Sequence, residues 1–123
     1  MKKILIVEDS DSTRAMMRAI VEDMGENFLV FEASNGFEAL KILPTENFNL
    51  IITDINMPDI NGLELINFIK TTPQYSKIPL IIVTTERTEE DRRRGMALGA
   101  NDYITKPFEP EQLRESILNL LDR

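Results

Sequence analysis

The chain contains no cysteine and no histidine. Their absence removes thiol nucleophiles, disulfides, Cys/His zinc sites and imidazole acid–base catalysis together. Basic residues are in the minority, 14 against 21 acids, and the formal charge is −7. Such a surface repels the phosphate backbone of nucleic acid, so no nucleic-acid partner is expected. Long apolar runs are missing too: none nears the roughly 18–20 residues that span a bilayer, so no membrane association is expected. Met1-Lys2-Lys3 is followed by four apolar residues and then by Glu8-Asp9, too short a run for a signal-peptide core. Together with the lack of cysteine this gives a cytoplasmic expectation. No linker, repeat or low-complexity segment divides the 123 residues, which suffice for one domain with a core of its own. The chemistry left to the chain must run on carboxylates, hydroxyls, lysines and a borrowed metal ion.

The regular feature is alternation. Short β-branched runs recur at Ile4–Val7, Leu29–Phe31, Leu50–Thr53, Leu80–Val83 and Asp102–Ile104. Between them the apolar spacing turns helical. Met16, Met17, Ile20 and Met24 mark one helix face, with Gly25 as its stop. Phe37, Leu40 and Leu43 mark a second helix ended by Pro44, and Leu65, Ile66 and Ile69 a third that ends before Pro73. Thr88 with Asp91 forms an acidic capping box for a fourth, running to about Leu98-Gly99. Pro110 opens a fifth, with Leu113, Ile117, Leu120 and Leu121 facing inward. Five strand–helix units predict an α/β fold, a five-stranded parallel sheet with helices on both faces and right-handed crossovers. The first, third and fourth runs are apolar throughout, as strands covered on both faces should be.

Polar residues follow each strong strand. Glu8-Asp9 follow the first run, Asp54 the third, Thr84-Thr85 the fourth, and Lys106 lies just beyond the fifth. All fall at carboxyl ends, the edge that carries the binding crevice in open α/β sheets. Two carboxylates about 5 Å apart repel by roughly 3 kcal/mol at an effective dielectric near 20. Three acids form three such pairs, only partly offset by one lysine. A hard divalent cation removes that penalty, and Mg²⁺ uses few carboxylates, several waters and a phosphate oxygen. Such an ion would orient a phosphoryl group beside Asp54, with Thr84 and Lys106 on its remaining oxygens. The pattern points to phosphoryl transfer to a carboxylate.

At these residues the chain resembles response-regulator receiver domains, and among them the stand-alone chemotaxis type. The matching blocks are residues 4–10, 32–40, 54–62, 84–86 and 99–108, in the family's order and over nearly the whole chain. The resemblance implies a doubly wound sheet of order 2-1-3-4-5 and one receiver domain over residues 1–123 with no output domain. It implies that Asp54 accepts the phosphoryl group from a phosphohistidine on a sensor histidine kinase. Asp9 would ligate Mg²⁺ directly, Glu8 through water, Asn56 through its backbone carbonyl, and Asp54 from the acceptor position. Thr84 would bond the phosphoryl oxygen once Asp54 is modified, and Tyr103 would move inward behind it. Lys106 would pair with the phosphoryl group, aimed by a cis bond at Pro107. Asn56 and Glu86 occupy the positions that tune attack by water, and both match the chemotaxis type, as does the Ser10 and Arg14 spacing. Glu8 departs from the commoner Asp, and Thr85 from the usual Ala or Gly, where its bulk restricts access to Asp54.

The implied output is a change in the surface of helix four, strand five and helix five, in a monomer. The expected targets are a flagellar motor switch or a phosphotransfer protein, with a phosphatase to reset the state. A phosphorelay intermediate that passes phosphate to a histidine phosphotransfer protein is the alternative within the class. Two other classes are weighed. An Mg²⁺-dependent phosphatase with an Asp nucleophile needs a second Asp where Asn56 stands. A flavodoxin needs a phosphate cradle where this chain puts Glu8 and Asp9. Taken singly, Asp54 is also a turn starter, Thr84 a strand end and Tyr103 a half-buried core residue. Arg92-Arg93-Arg94 fan through about 200° of a helix and are expected to pair with Glu89, Glu90 and nearby acids. The methionines at 16, 17 and 24 are expected as core filler.

Overall fold

The computed structural model describes residues 1–121. Five strands, β1 (Lys2–Val7), β2 (Phe28–Ala33), β3 (Leu50–Thr53), β4 (Leu80–Thr84) and β5 (Asp102–Thr105), alternate with five helices. The helices are α1 (Asp11–Glu22), α2 (Gly36–Ile42), α3 (Gly62–Thr71), α4 (Glu89–Ala97) and α5 (Pro110–Leu121), with a 3₁₀ turn at Leu43–Thr45. All strand pairs are parallel and the order is 2-1-3-4-5.

The apolar strands divide their side chains between two layers because successive residues of a strand point to opposite faces. Ile4 and Ile6 of β1 join Met17, Ile20 and Val21 of α1 and Leu113 and Ile117 of α5. Leu5 and Val7 join Ala39 of α2 and Leu65, Ile66 and Ile69 of α3 on the other face. The four β1 residues are wholly buried. Each such aliphatic side chain contributes about 1.5–3 kcal/mol, so a polar residue at Ile6 would undo both strand and layer. Helix starts follow from local polar residues. Ser10 Oγ accepts from Thr13 N, Asn35 Oδ1 from Glu38 N, and Asn61 Oδ1 from Leu63 N. Thr88 and Asp91 form the reciprocal capping box expected of them. Gly25 and Gly99, with φ of 143° and 112°, turn the chain just past α1 and α4, where a Cβ would be strained.

The structure corrects several expectations. Met16 is 43% exposed rather than on the core face, and the core side of α1 is made by Met17, Ile20 and Val21. Phe37 is 57% exposed, whereas Leu40 and Leu43 pack on the core as expected and Ala39 joins them. Pro44 does not simply stop α2: it lies in the 3₁₀ turn that carries Leu43 into the core. β2 is longer than its apolar run because Glu32, inside it, is paired with Arg14 and Arg18 of α1. Charge pairing hides that strand from hydrophobic patterning.

Register sets the site. Val7 lies beside Thr53, Thr53 beside Ile82, and Thr84 beside Thr105. Four strands therefore end side by side, and the polar residues that follow them converge on one edge.

Candidate functional site

Glu8, Asp9 and Asp54 each place a carboxylate oxygen within 4.8 Å of the other two. Glu8 and Asp54 are buried, whereas Asp9 is open to solvent. Lys106 Nζ donates to Glu8 Oε1 at 2.7 Å and to Asp54 Oδ2 at 2.8 Å. One ammonium thus bonds two of the three carboxylates and leaves Asp9 to solvent, so by formal charge the cluster is net negative. Burial pushes the Glu8 carboxyl up from its ordinary range, against the pull of Lys106 and the Ser10 N–H. Burial also opposes the charge on Lys106, but the hydrogen bonds and charges of Asp54 and Glu8 outweigh it, and its pKa rises.

This donor set suits a hard divalent cation: all oxygen, anionic, and open on the Asp9 side, where water can complete a coordination shell. Asp54 is oriented at both oxygens, since the Asn56 N–H donates to Oδ1 at 2.9 Å while Lys106 holds Oδ2. The Lys106–Pro107 bond is cis.

The far side of Asp54 is built from hydroxyls, backbone groups and one carboxylate, that of Glu86. Thr84 is fully buried and its Oγ1 accepts from Glu86 N at 3.3 Å. Asn56 Nδ2 donates to Glu86 Oε1 at 2.7 Å, so these two positions are bonded to each other between the β3–α3 and β4–α4 loops. The Tyr103 hydroxyl donates to the Glu86 carbonyl at 2.8 Å. Burial pushes that hydroxyl up to about 12, which keeps it a neutral donor.

Tyr103 is buried, not half-buried as expected, and its ring lies inward with Asp54 unmodified. Gly95 makes room for it. A Cβ at Gly95 would lie 2.5 Å from Ile82 Cδ1 and 3.4 Å from the Tyr103 ring, so α4 rests on the sheet at its one buried residue. Arg92 closes over the other side, its guanidinium 5.8 Å from the ring centroid and Nη1 donating to the Tyr103 carbonyl at 3.3 Å. The expectation that the arginines pair with neighbouring acids holds for Arg94, which reaches Glu90 at 3.2 Å, and is corrected for Arg92, which is exposed but reaches across to Tyr103. Helical spacing could not reveal that, because the partner is a residue of β5.

Asp59 was also not legible. Its carboxylate accepts from the N–H groups of Gly36 and Phe37 at 3.2 and 2.9 Å, fastening the β3–α3 loop to the start of α2. Thr85 is exposed and lines a groove of about 360 Å³ with Met16, Pro107 and Phe108 beside Lys106. Among the described residues no helix is long and apolar enough to cross a membrane.

Comparison with known proteins matches residues 4–118 to the family model described as the response regulator receiver domain. The chain is 37% identical over 120 residues to a chemotaxis protein CheY homolog of Campylobacter jejuni, covering 97% of this chain and 92% of that one. It is 42% identical to the aerobic respiration control protein ArcA of Escherichia coli, covering 98% of this chain but 48% of that protein. The structure of the chemotaxis response regulator CheY4 of Vibrio cholerae superposes with a TM-score of 0.90 at 36% identity, over 98% of this chain and 99% of that one.

Proposed function

The chain belongs to the response-regulator receiver family, and from that premise we propose that Asp54 accepts a phosphoryl group from a phosphohistidine of a sensor histidine kinase. The observation that carries this reading is the placement of a buried carboxylate, held at both oxygens, between a lysine and two further acids. In the reaction a carboxylate oxygen of Asp54 attacks phosphorus, the N–P bond of the donor breaks, and imidazole leaves. The product is an aspartyl phosphate. Asp9, Asp54, the Asn56 carbonyl and, through water, Glu8 would hold Mg²⁺. When bound, that ion supplies positive charge to the phosphoryl oxygens as they approach the acids. Lys106, freed from Asp54 Oδ2, turns to a phosphoryl oxygen while staying bonded to Glu8. Thr84 exchanges its bond from Glu86 N for one donated to the phosphoryl group. Asn56 and Glu86, already bonded to each other, control the approach of water.

The exchange at Thr84 alters the loop whose carbonyl at Glu86 holds Tyr103, and through Arg92 it reaches α4. The output is a changed surface of α4, β5 and α5, offered to a target protein. Chemotaxis, with a flagellar motor switch as target, is the first assignment, supported by the likeness to the CheY homolog of Campylobacter jejuni and to CheY4 of Vibrio cholerae and by the bonded pair Asn56 and Glu86. A phosphorelay intermediate is the second.

The test is intact mass after incubation with acetyl phosphate, with and without Mg²⁺. One phosphoryl adduct that requires Mg²⁺ and is lost in Asp54→Asn is the expected result. No adduct, together with no binding of beryllofluoride, would overturn the reading. For the assignment to chemotaxis, a deletion strain should lose normal swimming reversals; unchanged reversals would remove it.

A further inference from the structure

Two arginines project from α1 toward β2, and they do different things. Arg18 bonds Glu22 and Glu32, both within the α1–β2 surface. Arg14 uses all three guanidinium nitrogens. Its Nη1 donates to the Glu8 carbonyl at 2.7 Å, its Nη2 to Asp11 Oδ1 at 2.7 Å, and its Nε faces Glu32 Oε1 at 3.3 Å. The side chain is 17% exposed, so the fork is largely out of solvent.

The carbonyl it binds belongs to the peptide that joins Glu8 to Asp9. The preceding N–H, that of Glu8, donates to Ala33 O at 3.0 Å and continues the pairing of β1 with β2 by one rung. In a parallel ladder the Glu8 carbonyl would take its donor from residue 35. Asn35, however, is the N-cap of α2, and the chain has turned away there. Arg14 supplies the missing donor from α1 and is itself anchored on Glu32 of β2. A side chain completes the sheet at the point where the first two acids emerge.

We propose that Arg14 is a positioning residue of the metal site: by fixing the Glu8–Asp9 peptide it sets the direction of the Asp9 carboxylate and so the affinity for Mg²⁺. This rests on the reading of Glu8, Asp9 and Asp54 as the site of that ion. It makes a prediction of definite sign. Removing a cation from beside an acidic cluster tightens cation binding if charge alone matters. Removing the support of a ligand weakens it, typically by 10–100-fold.

The experiment is calorimetric titration of the metal-free protein with MgCl₂, with thermal melting recorded for each variant. Arg14→Met is expected to weaken Mg²⁺ binding by about ten-fold. Arg14→Lys, which keeps the charge but loses the three-way fork, is expected to weaken it as well, and it carries the test if the methionine variant does not fold. Arg18→Met, which removes the neighbouring cation from the same Glu32, should bind Mg²⁺ at least as well as the parent. Unchanged or tighter binding in the Arg14 variants, or equal weakening in Arg18→Met, overturns the proposal. Asp9→Asn separates the two failures. If the parent takes up no Mg²⁺, or binds it as well without Asp9, the metal reading itself falls, and this proposal with it.

Discussion

Toward β1, Asp54 faces charged groups locked in place: Lys106 spans Glu8 and Asp54, the Ser10 N–H holds Glu8 Oε2, and Arg14 holds the Glu8 carbonyl. Toward β4 and β5 it faces Thr84 and a chain of mostly single hydrogen bonds through Glu86 and Tyr103. That chain ends on α4, a helix whose one buried residue is a glycine. Charged groups held at several points keep their geometry when one partner changes. A helix held by one buried glycine, a half-buried Met96 and Leu98 at its end, and one arginine can shift for less free energy than groups locked at several points. The contrast teaches a division of labour, in which the first side binds and the second side responds.

The division can be broken from the charged side first. Lys106→Met leaves two buried carboxylates without their cation, and metal-free stability should fall by about 3–5 kcal/mol, read by urea unfolding. A loss confined to the first few tenths would show that the acids are already solvated. From the other side, Gly95→Val forces new methyl groups against Ile82 and Tyr103. A cost of about 1–3 kcal/mol is expected. Hydrogen exchange should rise in α4 and around Tyr103 while the β1–α1 loop stays protected; equal rises on both sides would erase the comparison.

Asp54→Asn sharpens it. Removing one of two buried carboxylates leaves Lys106 and Glu8 as a matched pair, so metal-free protein should gain about 1 kcal/mol, or roughly 3–5 °C in Tm. Lower stability would show that Lys106 more than compensates the crowding. The smallest effect is in pH dependence. Glu8 has a raised pKa in the folded protein, so the native state binds more protons than the unfolded chain near this group. Its contribution is fully present below the ordinary value of 4.5 and is lost as pH rises through the folded value. The stability difference between the parent and Glu8→Gln, measured without metal, should therefore move against the parent from pH 4 to pH 8. A flat difference would contradict the burial of that carboxylate.

How much of this was legible in the sequence depends on how local the cause is. β1, β3 and β4 were readable because burial on both faces demands uninterrupted apolar runs, and the start of α4 because its capping box lies within four residues. The acids could be assembled from the sequence because each directly follows a strand, and parallel strands end on one edge. β2 reads short in the sequence because Glu32 is paired by arginines of another element. Arg14, Arg92 and Asp59 are not readable in their roles: each bonds a backbone group outside its own segment, which local periodicity does not show. Met16 and Phe37 show the converse error, apolar residues left exposed where helix rotation carries them off the core.

Borohydride trapping of the acyl phosphate followed by peptide mapping, after reaction with acetyl phosphate and Mg²⁺, identifies the carboxylate that carries the phosphoryl group. Reduction converts an aspartyl phosphate to homoserine at the residue that carried it. Homoserine is expected at position 54, with Glu8 and Asp9 unmodified. Reduction at either of those acids, or a stable adduct that yields no homoserine, would contradict Asp54 as the acceptor.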